Sequence, residues 1–238
     1  MSKYAKSAEI YDAIYLAKKD YVKEAEQVHS IIQEHKRTDG NDLLDVACGT
    51  GLHAEVLQRW YNIEGLDLSE GQLAVARKRL PEVTFYQADM TDFDTGKQYD
   101  VITCLFSAIG ELLDIEQVES AVSTMAKHLK QGGVLIVEPW LRPDQFREGR
   151  IWSDFVDEPD LKVARMTIAE RHGKIVDLHM YHMVGRPDKV EEFVEHHREA
   201  MHTPEEYMEA FKKVGLTVDY DEQGLIGRGL FMGLKEEY

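Results

Sequence analysis

Between residues 43 and 138 the chain alternates between short apolar runs and longer segments with helical spacing of apolar positions. Each apolar run is nearly continuous, which is typical of a strand buried on both faces of a sheet. Strands separated by helices in this way predict a mostly parallel sheet covered on both sides, the three-layer α/β/α class. The predicted strands are 43–46, 63–67, 83–87, 101–106 and 134–138, and the predicted helices are 52–60, 70–80 and 116–129, the last one ended by a glycine turn at 131–133.

The segments before and after this alternation have other patterns. Residues 1–38 carry apolar side chains, many of them tyrosine, at helical spacing, and they predict one or two helices that form a lid. Residues 140–200 predict antiparallel strands at 163–168 and 175–180 with a hairpin turn between them. Residues 189–200 are ambiguous, and their alternation favours a strand over a helix. We interpret 140–200 as a β-rich insertion within one domain spanning the whole chain, where it covers a site, contacts a second subunit, or does both.

The C-terminal part returns to the sheet. Thr203 and Pro204 have the N-cap and first-turn pattern of a helix, which we expect to end near residue 214. Two apolar runs follow, 216–220 and 230–234, and they predict a hairpin at the sheet edge.

A turn of small residues follows the first predicted strand. Ala47, Gly49 and Gly51 let the backbone bend sharply and approach a ligand closely, and the next helix directs its free N–H groups into the turn. Asp45 would repel a pyrophosphate and attract a cationic cofactor, and the spacing lacks the third glycine of a dinucleotide fingerprint. Asp67 ends the second strand about 20 residues later, where nucleotide sites bind a ribose hydroxyl. A strand-to-helix turn without a ligand is the alternative.

Composition restricts the class further. The chain has 238 residues, of which 43% are hydrophobic and 30% charged, as in ordinary globular proteins. Its net charge of −16 argues against nucleic-acid binding, and it has no apolar run of membrane-spanning length. Cys48 and Cys104 are expected in buried strands as free thiols, and the first residues lack a signal-peptide core, so we expect a cytoplasmic protein. The histidines lack metal-ligand spacing, so no metal is expected.

Several motifs occur in the same order and at similar spacing in one known family. They lie at 43–51, 76–81, 89–93, 106–110, 132–133, 137–140 and 227–231. On these motifs the sequence resembles the dTDP-amino-sugar N,N-dimethyltransferases of the desosamine and mycaminose type, which are class I methyltransferases dependent on S-adenosylmethionine (SAM). The resemblance implies a Rossmann-like sheet of seven strands whose last strand is antiparallel. It also implies SAM as the cofactor, a small-molecule substrate and a homodimer that uses the β insertion.

The same resemblance assigns roles to individual residues. It places the small-residue turn at the methionine part of SAM, the end of the second strand at the ribose, and a later loop beside the adenine. The implied cofactor residues are Asp45, Ala47, Gly49, Gly51, Asp67, Leu68, Asp89, Met90 and, near the methyl group, Phe106. The implied substrate residues are Ser107, Trp140 and Arg228, the last beside phosphates, while Tyr4 and Tyr21 correspond to tyrosines near the active site. The alternatives from the residues alone are a turn former for Asp89, a surface residue for Arg228 and packing residues for the tyrosines.

Glu111 departs from the family pattern, which has histidine or tyrosine at this position. A carboxylate attracts a cationic amine, so Glu111 is our candidate for orienting or deprotonating the acceptor, with a helix cap or a solvated side chain as the alternative. Leu141 and Arg142 replace an apolar aromatic pair, also on the substrate side. The sequence therefore predicts a SAM-dependent N-methyltransferase acting on a small amine, such as a nucleotide-linked amino sugar. A hydroxyl or carboxylate acceptor, a dinucleotide-dependent oxidoreductase and a binding protein without catalysis are the alternatives.

Overall fold

The structure is a computed structural model that describes residues 7–236. Its helices are α1 (Ala8–Leu16), α2 (Tyr21–His35), α3 (Leu52–Leu57), α4 (Glu70–Arg79), α5 (Ile115–Lys127) and α6 (Pro204–Lys213), and Ala108–Glu111 forms a short 3₁₀ helix. Its strands are β1 (Asp42–Val46), β2 (Asn62–Asp67), β3 (Thr84–Gln87), β4 (Tyr99–Cys104), β5 (Leu129–Val137), β6 (Trp152–Glu158), β7 (Leu161–His172), β8 (Ile175–Arg186), β9 (Lys189–Ala200), β10 (Leu216–Asp221) and β11 (Leu230–Lys235).

Seven strands form one sheet in the order β10-β11-β5-β4-β1-β2-β3. The last strand, β11, is antiparallel to both of its neighbours, and the pairs from β5 to β3 are parallel. This arrangement confirms the predicted mostly parallel sheet with an antiparallel last strand. Within the C-terminal hairpin only β10 is an edge strand, because β11 lies between β10 and β5.

Apolar side chains cover both faces of this sheet and produce the three predicted layers. On one face α5 and α6 contribute Val122, Met125 and Phe211, all fully buried. On the other face α2 and α3 contribute Val28 and Leu57, also fully buried. Burying a side chain of this size stabilises the fold by about 1.5–3 kcal/mol relative to exposure. The two layers thus hold the sheet in place and leave the ends of its strands open for a site.

Two local predictions are wrong. Gly132 and Gly133 lie within β5 and do not form a turn after α5, which ends at Lys127. A Cβ on Gly133 would lie 2.9 Å from the Asp100 carbonyl oxygen, so glycine permits an irregular, close pairing of β5 with β4. Cys48 lies after β1 and not in it, because the backbone leaves the strand at a residue with positive φ one position earlier.

The strands β6 to β9 form a second, four-stranded antiparallel sheet, which we call the insertion sheet. It confirms the predicted hairpin and the strand at 189–200. Alternate side chains define an inner face, which packs against the rest of the domain, and an exposed outer face. The strand β6 was not predicted because its pattern is mixed: Asp154 is buried on the inner face together with Val156, whereas Phe155 on the outer face is 64% exposed.

The first helix connects the two sheets. Ile10 and Ile14 pack against the inner face of the insertion sheet. On the same helix Asp12 pairs with Arg79 of α4 and accepts a 2.5 Å hydrogen bond from the Thr50 hydroxyl in the turn after β1. The second helix, by contrast, belongs to the core layer. The N-terminal region therefore combines one core helix with one helix that spans from the insertion sheet to the strand ends.

Candidate active site

The turn after β1 depends on three residues with positive φ. Ala47 has a φ of 56°, Gly49 of 57° and Gly51 of 80°. Glycine adopts this left-handed conformation without steric cost, whereas alanine does so at a cost. Gly51 is the N-cap of α3, and a Cβ added there would contact Ala76 of α4 at 3.5 Å. The turn is therefore compact and places its backbone directly at the carboxyl end of the sheet.

Asp67 at the end of β2 holds this turn. Its Oδ2 accepts the Gly49 N–H at 2.8 Å, and its Oδ1 accepts the Ser69 N–H at 2.8 Å. Each carboxylate oxygen has a second lone pair, so Asp67 can still accept a hydrogen bond from a ligand hydroxyl. Burial raises the pKa of Asp67, the backbone hydrogen bonds oppose this, and the negative charge of nearby Glu111 raises it further. Glu111 is thus close enough to act on the cofactor side of the site.

Asp45 lies on β1 beneath the turn and is only 2% exposed. The Thr103 hydroxyl donates a 2.7 Å hydrogen bond to its Oδ1. Burial raises the pKa of Asp45 to about 6, and the charge of His53 and the Thr103 hydrogen bond oppose the shift only in part. A carboxyl group with this pKa changes its charge close to neutral pH, and a cation bound nearby would favour the ionised form.

After β4 the chain turns through two consecutive residues with positive φ, Phe106 at 53° and Ser107 at 66°. Such non-glycine residues cost about 1–3 kcal/mol each, and hydrogen bonds offset the cost here. The Phe106 N–H donates to Glu138 Oε2 at 2.6 Å, and the Ser107 hydroxyl donates to the Pro139 carbonyl at 2.8 Å. Arg228 Nη1 donates to Ser107 Oγ at 2.6 Å. The strained turn thereby fixes an aromatic ring, a hydroxyl and a guanidinium group together.

A cavity of about 860 Å³ lies between the carboxyl ends of the parallel strands, α1 and the inner face of the insertion sheet. Small-molecule sites commonly have volumes of about 300–1,000 Å³. The structure brings most of the predicted site residues together in this one cavity. Its walls include Ala47, Gly49, Asp67, Leu68, Asp89, Met90, Phe106, Ser107, Glu111, Trp140 and Arg228.

The remaining predicted site residues do not line the cavity or lie outside the described part of the chain. Asp45 and Gly51 stand behind the turn, where they shape it without forming its surface. Tyr21 is buried, and its ring lies edge-on to His53 at 4.7 Å. Tyr4 lies outside residues 7–236.

Two sequence alternatives are decided by hydrogen bonds. Asp89 Oδ1 accepts the Thr91 N–H at 2.8 Å and the Thr91 hydroxyl at 2.7 Å, so Asp89 does form a turn while it lines the cavity. The N-cap of α5 is Asp114, which accepts the Gln117 N–H at 2.9 Å. Glu111 is therefore not the cap of that helix, and its partly exposed side chain lies in the cavity wall.

Sequence analysis missed the cavity residues that come from α1 and the insertion sheet. The Tyr15 ring lies edge-on to Phe106 at 4.9 Å. Arg165 of β7 donates to Asp154 at 2.8 and 2.6 Å and to the Tyr15 hydroxyl at 3.2 Å, and Lys18 also pairs with Asp154. The tyrosine-rich helical face of residues 1–38 could have indicated Tyr15 as a site residue. The inward direction of Arg165 depends on strand register, which the sequence pattern did not predict.

Comparison with known proteins gives a family profile that matches part of the chain and relatives that match nearly all of it. A family profile described as Methyltransferase domain matches residues 43–133. The dTDP-3-amino-3,4,6-trideoxy-alpha-D-glucopyranose N,N-dimethyltransferase of Streptomyces venezuelae is 39% identical over 230 residues, which cover 95% of this chain and 97% of that protein. The dTDP-4-amino-2,3,4,6-tetradeoxy-D-glucose N,N-dimethyltransferase of Saccharopolyspora spinosa is 33% identical and covers 96% and 92%.

Solved structures agree with these sequence matches. Streptomyces venezuelae DesVI superposes with a TM-score of 0.91 at 38% identity, covering 96% of this chain and 98% of that chain. A SAM-bound amino pentose methyltransferase from Micromonospora echinaspora superposes with a TM-score of 0.86 at 38% identity, covering 95% and 96%.

The sheet order, the small-residue turn and the acidic end of β2 around one cavity define a SAM-dependent methyltransferase of class I. Identity over nearly the full length of both chains then shows that the protein belongs to the family of dTDP-amino-sugar N,N-dimethyltransferases. SAM is accordingly its methyl donor, and the dinucleotide-dependent oxidoreductase considered above is excluded.

Residues 7–236 contain neither a membrane-spanning helix nor a metal-binding cluster. None of their helices combines the length and apolar character needed to cross a membrane. Among the same residues, no group of three or more His, Cys, Asp or Glu side chains is arranged to hold a metal ion.

Asp45→Asn should stabilise the protein at neutral pH and have little effect near pH 4. The carboxyl has an ordinary pKa of 3.8 when unfolded and about 6 when folded. Below pH 3.8 the carboxyl is neutral in both states, and its burial does not change the free energy of unfolding. Above its folded pKa it is charged in both states, and its burial lowers the free energy of unfolding by about 3 kcal/mol. Urea unfolding of both proteins between about pH 4 and about pH 7 measures the difference. A difference that stays constant with pH would contradict this account.

Proposed function

We propose that the enzyme transfers the methyl group of SAM to the amine of an amino sugar carried on a nucleoside diphosphate. The observation that carries the proposal is the position of Arg228. Its guanidinium group donates to the neutral Ser107 hydroxyl beside Phe106, in the same cavity as Asp67. The charge of Arg228 also acts on buried Glu138, and its planar fork has further N–H groups that suit phosphate oxygens.

Other cationic side chains around the cavity support an anionic substrate. The chain has a net charge of −16, yet basic side chains are as numerous as acidic ones in the cavity wall. Lys18 and Arg165 pair with Asp154, which leaves Arg147 and Arg150 of the insertion segment beside Arg228. The relatives described above, which are named as enzymes of dTDP-linked amino sugars, support the same substrate class.

The residues at the strand ends fit SAM. A Cβ added to Gly49 would have only Gln72 within contact distance, at 3.8 Å, so a ligand can approach this backbone closely. We assign the lone pairs of Asp67 to the ribose hydroxyls. Asp45 acts from behind the turn as a buried negative charge that favours a cationic ligand. We assign Ala47 and Gly49 to the methionine part, Leu68, Asp89 and Met90 to the adenine, and Phe106 to the neighbourhood of the methyl group.

The protein contributes mainly enclosure and alignment. When bound, SAM would supply a methyl group already activated by its sulfonium, for transfer to the amine lone pair while the sulfur keeps the electron pair of the broken C–S bond. Tyr15, Trp140 and the insertion sheet exclude water from this step. Holding two reactants in an attack geometry supplies roughly 7–11 kcal/mol. We assign Glu111 as the acceptor of the ammonium proton, because a well-placed base adds about 10²–10⁴-fold to the rate.

A panel of nucleoside diphosphate sugars tests the proposal. Each amino sugar is paired with the sugar that carries a hydroxyl at the same carbon, and mass spectrometry counts the methyl groups added in the presence of SAM. We expect methylation of the amine members only, with one or two methyl groups on the amine. Methylation confined to hydroxyl or carboxylate acceptors, or equal turnover of the same amine without its nucleotide, would overturn the proposed substrate.

Substitutions at the two ends of the cavity should have separate effects. Arg228→Ala should raise the KM for the nucleotide sugar about 10- to 100-fold and leave the Kd for SAM unchanged, because a lost charged hydrogen bond is worth about 1.5–3 kcal/mol. Asp67→Ala should raise the Kd for SAM by a similar factor. Calorimetric titration of SAM and steady-state kinetics measure the two constants, with the exposed Arg37→Ala as the control. If either substitution changed both constants equally, the assignment of the two ends would be wrong.

We also propose that the enzyme is a homodimer joined through the outer face of the insertion sheet. Five apolar side chains on this face are between 42% and 64% exposed: Phe155, Met166, Tyr181, Met183 and Val194. Three of them, Met166, Tyr181 and Val194, stand side by side on adjacent strands. Contiguous apolar patches of this kind mark interaction surfaces, and two identical sheets related by a two-fold axis can pack face to face.

Tyr181→Glu should convert the dimer into a monomer, because it places a charge at the centre of the patch. Light scattering coupled to size-exclusion chromatography measures the mass of each variant. Val22→Glu, which adds the same charge at an exposed position on α2, is the control and should not change the mass. A wild-type protein that elutes as a monomer at micromolar concentration would contradict the proposal.

A further inference from the structure

Glu199 brings a second carboxylate to the substrate side of the cavity. It lies on the inner face of β9, opposite Val176 in the strand pairing, and is 8% exposed. Its side chain forms part of the cavity wall together with Trp140. The sequence assigned it no role, and the mechanism described above does not use it.

Gly110 shows how close this carboxylate comes to the 3₁₀ helix after β4. A Cβ added to Gly110 would lie 2.7 Å from Glu199 Oε2 and 2.6 Å from the Trp140 Cβ. Any larger residue would have to displace one of these groups. Glycine at this position therefore lets Glu199 sit against the backbone of the residue that directly precedes Glu111.

The two carboxylates have different surroundings. Glu111 lies in the cavity wall, and its charge acts on Asp67. Glu199 lies next to Gly110 together with the Trp140 side chain. Both carboxylates line the same cavity as Phe106 and Trp140, so an acceptor held there can contact each of them.

We propose that Glu199 binds the acceptor nitrogen in its ammonium form and makes the enzyme selective for amines over hydroxyls. The inference rests on the proposed function and gives the two carboxylates of the substrate side separate roles. Glu199 accepts N–H hydrogen bonds from the ammonium group when the substrate binds, and Glu111 takes the proton that must leave before the lone pair can attack. A hydroxyl carries no charge and has a single proton to donate, so Glu199 binds it less well.

Glu199→Gln tests this inference, because it removes the charge and keeps the shape. We expect the KM for the amine acceptor to rise about 10- to 100-fold, the cost of losing a charge-assisted hydrogen bond, with kcat changed much less. The Kd for SAM and the Kd for the paired hydroxyl sugar should stay unchanged. Glu111→Gln should show the opposite pattern, a lower kcat that recovers as the pH is raised towards the pKa of the amine.

Two further variants make the result specific. Glu199→Asp keeps the charge and should recover part of the preference for the amine over the hydroxyl sugar. Glu192→Gln removes an exposed carboxylate from the same strand and should behave like the wild type. Thermal unfolding of each variant shows whether it is folded before its kinetics are compared.

The outcomes separate the inference from the function on which it rests. An unchanged KM in Glu199→Gln, or equal weakening of the amine and the hydroxyl sugar, overturns the role of Glu199 and leaves the methyltransferase assignment intact. If the wild type methylates the same amine equally well without its nucleotide, the proposed substrate fails. The KM of Glu199→Gln for that free amine, compared with the wild-type KM, then decides the role of Glu199. If the wild type methylates only hydroxyl or carboxylate acceptors, both proposals fall.

Discussion

The site depends on hydrogen bonds from the loop after one strand to a carboxylate at the end of the neighbouring strand. Asp67 on β2 accepts the N–H of Gly49 after β1, and Glu138, directly after β5, accepts the N–H of Phe106 after β4. Each bond ties a turn with positive φ to the adjacent strand. The register of the parallel sheet therefore determines where the small-residue turn and the aromatic turn stand relative to each other.

Sequence pattern predicted most of this frame because buried parallel strands are nearly continuous in apolar residues and their helices are not. The cofactor side was predictable for a related reason: it is built from small residues and acids at fixed spacing along the chain. The glycines at 132–133 were misplaced because glycine pairs occur both at helix ends and at irregular strand pairings. The strand β6 was missed because Asp154 faces inward, which is stable only through Lys18 and Arg165, distant in sequence.

The substrate side was predictable only in part. Glu111 and Arg228 were identified because they occupy family motifs, and the departure at Glu111 was visible in the sequence itself. Tyr15, Arg165 and Glu199 come to the cavity through the docking of α1 and the insertion sheet. Tertiary contacts set the direction of these side chains. Alternation along a strand separates its side chains into two faces, but it does not show which face is buried against the rest of the protein.

The insertion sheet lines the cavity with its inner face and carries the apolar patch on its outer face, and this restricts how the enzyme can change over evolutionary time. Adding or removing one residue within β7 would turn Arg165 outward and Met166 inward, so the cavity wall and the apolar patch would be lost in a single event. Lineages that acquire new acceptors are therefore confined to exchanging side chains at inward positions. Differences in chain length should accumulate at the hairpin turns, such as the one at Gly173, which a change of length can alter without reversing either face.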